Sequence, residues 1–268
     1  MHNRRYPLPV GIAIRLAVAG LSGQRRSFSQ DARACVRALD PPVQVMGKEH
    51  LPGEGPRLLL TNHYSRPGFP AWWIALAVTA TGAAGVTPAA TTLAPPDEVH
   101  WVITAAWTFP GRRGRRLLMP LSRWVIRKIS RVYGFTPMPP MPPAPEETAA
   151  RARAVREVLR CARDRRASIG LAPEGRDDPG GVLQMPPPGA GRFLLHLAGL
   201  GLAFTPVGVF EAPESDGRSW GLCVRFGPAF CLEVPPGLPA GARDAYASRL
   251  VMGRLAAVLP EALRGEFG

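Results

Sequence analysis

The sequence predicts an α/β fold, a mixed β-sheet covered by helices. Short apolar runs bounded by chain breakers alternate with longer segments of helical periodicity, the order in which strands and covering helices take turns in such folds. The chain has 268 residues, 46% of them hydrophobic and 20% charged, enough for one large core and nothing that demands two. There is no internal repeat, and most of the 31 prolines fall in clusters that read as loops between patterned segments.

Residues 1–42 read as a basic amphipathic segment ending at Pro41 and Pro42. Its apolar stretch, residues 8–21, is interrupted by Arg15 and is too short to span a bilayer, which argues against an export signal and a spanning helix. Ile12, Leu16 and Ala19 share one helical face, so the stretch reads as an interfacial helix flanked by arginine, with a core-packing amphipathic helix as the alternative. Residues 43–235 read as the α/β domain. It opens with a strand at 43–46 and a buried strand over Arg57–Thr61, followed by a helix at 71–79. Val99–Thr104 alternates and is β-branched, hence a strand.

In residues 121–132, Leu121, Trp124, Val125, Ile129 and Val132 recur at helical spacing, while Arg123, Arg127 and Arg131 stack on the other side. Pro145, Glu146 and Glu147 open a helix running to about Asp164, with its acids in the first turn and Val155, Val158, Leu159 and Ala162 as its apolar stripe. Ser168–Leu171 is a short strand. A helix at 192–200 and strands at 204–210 and 222–226 follow. Residues 236–268 carry a last helix, 243–259, that packs on the same domain through Tyr246, Leu250, Val251, Leu255 and Val258.

The formal charge is +13, and lysine occurs only at Lys48 and Lys128, so arginine carries nearly all of it. Such a balance implies an anionic partner: nucleic acid, anionic lipid or a phosphorylated substrate. No acid occurs between Glu98 and Glu146, whereas eight basic residues do, which concentrates the charge. On an amphipathic helix that pattern points to a membrane surface with anionic lipid, a solvated helix face being the alternative. No recognition motif or run of interleaved basic and aromatic residues supports a nucleic-acid partner. Cys35, Cys161, Cys223 and Cys231 lack C-x-x-C spacing, so no metal site is expected. Scattered thiols fit a reducing environment. The expected location is cytoplasmic, peripheral on the inner face of the membrane.

Two short motifs carry chemistry. Thr61-Asn62-His63-Tyr64-Ser65 follows a buried strand, and strand ends in α/β sheets are where ligands bind. Histidine is the side chain best suited to take a proton near neutral pH. Pro173-Glu174-Gly175-Arg176 follows another short apolar strand: glycine allows close approach of backbone to ligand, arginine suits phosphate, and glutamate can orient either. Taken singly, each has a bland reading, a structural histidine and a charged surface turn. There is no G-x-S-x-G elbow, no H-E-x-x-H and no P-loop.

Together, in order and spacing, these motifs resemble the bacterial phospholipid/glycerol acyltransferase family, which includes lysophosphatidic acid acyltransferases. The likeness runs over residues 43–232. Residues 45–52 and 55–63 look like the lead-in to the family's first block, residues 133–137 fall at its second, residues 171–175 are similar to its third, and Gly191 with residues 203–207 to its fourth. The first block is H-x-x-x-x-D, with the aspartate paired to the histidine; here Gly68 stands in its place. Met138 and Pro139 replace an expected arginine, and Asp177 stands where the third block has arginine, one place after Arg176.

The resemblance implies a glycerolipid acyltransferase-like fold and a site in which His63 is the general base with Glu174 beside it. It implies that Asn62, Ser65, Arg66, Gly175 and Arg176 position substrate. Acyl-CoA or an acyl carrier protein is the implied co-substrate, a lysophospholipid-like hydroxyl the acceptor, with no metal or other cofactor. Glu174, Asp97 and Glu98 are the candidates to stand in for the missing aspartate. The alternative is a non-catalytic descendant that binds lipid or acyl carrier protein.

Overall fold

Seven strands hydrogen-bond into one mixed sheet: β1 (Gln44–Met46), β2 (Arg57–Thr61), β3 (Val99–Thr104), β4 (Thr136–Met138), β5 (Ser168–Leu171), β6 (Ala203–Pro213) and β7 (Trp220–Phe226), in the spatial order β1-β7-β6-β2-β5-β3-β4. All neighbours are parallel except β6 and β7. This computed structural model describes residues 5–51, 55–82, 98–107, 115–139, 145–164, 167–176, 180–213 and 220–268. Among the described residues, seven α-helices cover the sheet: α1 (Val10–Ser22), α2 (Phe28–Arg37), α3 (Trp72–Gly82), α4 (Arg115–Tyr133), α5 (Thr148–Asp164), α6 (Ala190–Ala198) and α7 (Ala240–Ala256). The α/β fold with a mixed sheet is the one the sequence predicts.

β2 is central and buried along its whole length, which is why it reads as an unbroken apolar run rather than an alternation. Leu59 faces a front core with Val207 and Val209 of β6, Trp73 and Ala77 of α3, Phe28 and Cys35 of α2, and Ile12 of α1. Leu58 and Leu60 face a back core with Val158 of α5, Leu194 and Leu197 of α6, and Val251 of α7. β2 therefore leads to a front helix, α3, while its parallel neighbour β5 leads to a back helix, α6. The chain diverges at the carboxyl ends of these two strands, and such a switch point opens the crevice where α/β sheets take their ligands.

Two elements escape the sequence reading. α2 lies inside the predicted basic segment; Phe28, Ala32 and Cys35 recur at helical spacing on its buried face, beside the buried Ser29 and Asp31. Ser27 caps it, accepting from the Gln30 N–H at 3.2 Å. Asp31, 3% exposed, binds Arg26 at 2.6 and 2.9 Å and accepts from the Tyr133 hydroxyl at 2.8 Å, so it ties α2 to the end of α4. β4 has three residues including Pro137, an arrangement that only an edge strand tolerates.

Two helix faces need correction. The Ile12 and Ala19 face of α1 packs inward, and the opposite stripe of Val10, Ile14, Val18 and Leu21 is exposed, 56–74% of each. α1 is thus apolar on both sides, and the periodicity does not say which faces the core. On α4, which packs beside α1, Val132 of the predicted stripe is buried together with Ser122, Ile126 and Ser130, whereas Leu121 and Trp124 are about half exposed. Arg123, Arg127 and Arg131 lie exposed, as the spacing predicts. No described helix is long and apolar enough to cross a bilayer.

Removing the Asp31 carboxylate strands the Tyr133 hydroxyl and the Arg26 guanidinium. Asp31→Ala is expected to lower the unfolding free energy by about 1–3 kcal/mol. Urea titration checks this, and a loss under about 0.5 kcal/mol, the range of an ordinary surface change, would remove Asp31 from the tie.

Candidate active site

His63 and Glu174 each lie three residues past the paired Leu60 and Leu171, so the two sequence motifs meet across the crevice. Glu174 is 1% exposed. Its Oε2 accepts from the His63 backbone N–H at 2.6 Å and its Oε1 from the Gln184 N–H at 2.9 Å. These charge-assisted bonds offset the cost of burying the carboxylate. Glu174 therefore positions the main chain at residue 63 and draws the 180–188 loop onto the site. Gly175 follows in a left-handed turn, and Gly175 and Arg176 are exposed at the rim.

Asn62, expected to position substrate, is fully buried and joined to β6 instead: its Nδ2 donates to the Val209 carbonyl at 2.9 Å and its Oδ1 accepts from the Val209 N–H at 2.8 Å. Both ends of the amide serve the scaffold. Residue 63 is thus bracketed, by Asn62 on the β6 side and by Glu174 on the β5 side. The imidazole is partly buried, with Nδ1 inside. Ser65 is partly buried beside it in sequence.

Residues 66–69 form a tight turn, with N–H donation from Arg66 to Phe69 O at 3.1 Å and from Phe69 to Arg66 O at 2.9 Å. Pro67 followed by Gly68 at φ +89° is the signature of a type II turn. The position at which the family carries its aspartate is therefore a left-handed glycine, a conformation that an L-aspartate adopts only with strain. Of the other carboxylates considered, Glu98 accepts from the Ser29 N–H at 3.3 Å and from the hydroxyls of Ser27 and Ser29 at the start of α2, so it is committed away from His63. Asp97 and Asp177 lie outside the described residues.

A second buried acid was not visible in the sequence. Glu211, near the end of β6, accepts from the Tyr6 hydroxyl at 2.8 Å, from the Tyr64 hydroxyl at 3.0 Å and from two guanidinium nitrogens of Arg66. Its side chain is 1% exposed and that of Arg66 16%. Arg66, expected to bind substrate, is thus held in an internal ion pair. The hydrogen bond to Glu211 raises its pKa, and burial followed by the Glu211 charge pushes the Tyr64 phenol up to about 12. The Tyr64 ring lies over Gly181, where even a Cβ would approach Cδ2 to 2.4 Å. Gly181 shares the loop that Glu174 holds through Gln184. Among the described residues no three His, Cys, Asp or Glu side chains group as metal ligands.

No family model matches the chain, and no curated protein matches it. Among solved structures it is similar to the crystal structure of the 1-acyl-sn-glycerophosphate (LPA) acyltransferase PlsC from Thermotoga maritima, at 14% identity over 84% of this chain and 73% of that one, with a TM-score of 0.45. The likeness is loose, and the functional assignments rest on the residues of this chain.

The fold keeps Tyr64 neutral above the ordinary phenol value near 10. The unfolded chain ionises first, so this contribution is constant below about pH 10 and is lost as pH rises towards 12. Chemical unfolding at stepped pH is expected to show a shallower alkaline fall in Tyr64→Phe than in wild type. Parallel curves would contradict the burial of this phenol.

Proposed function

We propose that the chain is a glycerolipid-type O-acyltransferase, moving a fatty acyl group from acyl-CoA or acyl carrier protein to the hydroxyl of a lysophospholipid or related polar lipid. The observation that carries the reading is the junction of His63 and Glu174 at the crevice between β2 and β5, where two motifs 111 residues apart meet at 2.6 Å. His63 is the general base. Its Nδ1 is buried, so Nε2 takes the proton from the acceptor hydroxyl. The oxygen attacks the thioester carbonyl, the carbon–sulfur bond breaks, and the departing thiolate recovers the proton from the imidazolium. A positioned base of this kind contributes roughly 10²- to 10⁴-fold. Arg176, exposed at the rim beside Gly175, is the residue placed to meet an anionic headgroup or donor phosphate.

The membrane partner is proposed on separate grounds. The exposed stripe of α1 and the exposed Leu121 and Trp124 of α4 lie on two helices that pack together and carry no acidic residue. Lys128 lies against Gly20 of α1 and sets its ammonium 5.7 Å from the Trp124 ring. Arg127 and Arg131 are exposed on α4, and Arg123 pairs with Glu147 at 2.8 Å. An apolar stripe with tryptophan and a basic rim complements an anionic lipid surface. The chain would then act as a peripheral protein on the cytoplasmic face of the membrane.

A second reading, a lipid- or acyl-carrier-binding protein without turnover, is favoured by one observation, the left-handed Gly68 in place of the family's aspartate. The readings separate in one assay. With vesicles, acyl-CoA and lysophospholipid, wild type is expected to release CoA thiol and His63→Ala at least tenfold less. Equal rates would end the His63 assignment, and binding without release from any donor would establish the second reading.

For the docking face, the triple variant Arg123→Gln, Arg127→Gln, Arg131→Gln is expected to bind phosphatidylglycerol vesicles about tenfold or more weakly. Unchanged pelleting would detach this face from the membrane.

A further inference from the structure

We propose that Glu211 is the positioning residue of the His63 loop, and that Tyr64 and Arg66 transmit its hold. The inference rests on the assignment of His63 as the base. The turn at Arg66–Phe69 fixes the far end of the 63–69 loop, and its geometry leaves a glycine five residues after the histidine. What orients the loop is a carboxylate 148 residues away in sequence. Two side chains of the loop converge on Glu211: the Tyr64 hydroxyl at 3.0 Å and the Arg66 guanidinium. Tyr6 adds a third bond to the same carboxylate at 2.8 Å, and its backbone N–H reaches the Gly68 carbonyl at 2.9 Å.

His63 is thereby clamped on both sides. Its own N–H is drawn to Glu174, and the side chain of the next residue is drawn to Glu211. With the backbone fixed at one residue and the ring fixed at the next, the imidazole has a defined direction of exit. The geometry also argues against a purely general tie. β6 runs on to Pro213 after its partner β2 has stopped at Thr61, which pairs with Val207. Glu211 stands on that overhang, on the face of Val207 and Val209, and so meets the site loop rather than the sheet. A buried glutamate is costly unless paired and hydrogen-bonded, and here the pairing partners come from the loop that carries the base.

Glu211→Gln keeps the shape but removes the charge and sets an amide N–H₂ against the guanidinium. The expected result is a kcat for CoA release at least tenfold lower, with KM for acyl-CoA within twofold. In parallel, the imidazole ¹⁵N signals of His63, identified by their loss in His63→Ala, are expected to change from one sharp set to broadened or doubled signals. Asp31→Ala, a destabilised variant of a distant tie, is the control, and it is expected to leave both readouts as in wild type. Tyr64→Phe, which keeps the ion pair, is expected to lower kcat about threefold to tenfold and serves if Glu211→Gln does not fold.

Wild-type kcat per folded molecule together with an unaltered His63 spectrum, in either variant, would overturn the proposal. An imidazole perturbed in Glu211→Gln but not in Asp31→Ala would sustain it even if the wild-type chain released no CoA. In that case the acyltransferase reading fails and the positioning of His63 stands.

Discussion

The fold around the site depends on a buried carboxylate that must find hydrogen-bond donors. Where β2 and β5 end side by side, the chain leaves one for the front of the sheet and the other for the back, and main-chain groups lose their ladder partners at the divergence. Glu174 closes the gap, taking the N–H of His63 with one oxygen and that of Gln184 with the other. On the opposite flank Asn62 does the same for Val209, donating and accepting in one plane. Residues on three sequence-distant segments are thus brought within a few ångströms by side chains that bond to backbone. That arrangement changes the meaning of the acid in the second motif. An acid with both oxygens on backbone N–H groups is engaged in holding geometry, and on the proposed reading the half-buried imidazole carries the chemistry.

The strands that form the crevice were legible because their signals are local. Arg57–Thr61, Val99–Thr104 and Ser168–Leu171 are short apolar or β-branched runs between breakers, and the structure keeps those bounds. The same local logic located His63 and Glu174, each just past a strand. It failed where the deciding partner is distant. An asparagine next to a histidine reads as a ligand-binding amide, and only Val209, 147 residues on, makes it scaffold. Glu211 follows the strand residues 204–210, and its partners Tyr6, Tyr64 and Arg66 come from distant parts of the chain. Gln184 acts through its main chain, which leaves no trace in its identity.

Helix faces show a different limit. Periodicity gives the spacing of apolar residues but not the side on which the core lies. α1 has two apolar faces, and the one carrying Ile12 and Ala19 is the inner one. In α4 the inner face holds Val132 of the predicted stripe but also Ser122, Ile126 and Ser130, and Ser130 returns its hydroxyl to the Ile126 carbonyl at 2.8 Å, which lets a polar residue lie inside. Leu121 and Trp124 were therefore free to face outward. In α2 a polar pair interrupts the buried apolar face of Phe28, Ala32 and Cys35: Ser29 and Asp31 lie inside with them, and Asp31 is paired there with Arg26 and Tyr133.

Tyr6 joins these two themes. It precedes α1 by a few residues, packs edge-on against Phe69 and Trp73, and accepts from the Trp73 indole N–H at 2.6 Å. Its hydroxyl reaches Glu211 and its N–H reaches Gly68, on the turn that closes the His63 loop. The start of the helix that bears the exposed apolar stripe is thus fastened, through one buried residue, to the carboxylate and the turn that hold the loop. A surface interaction of α1 is therefore linked through Tyr6 to the Glu211 carboxylate and to the Gly68 turn of the site loop. On the proposed reading, the way α1 lies on a membrane sets the orientation in which a lipid hydroxyl meets the imidazole.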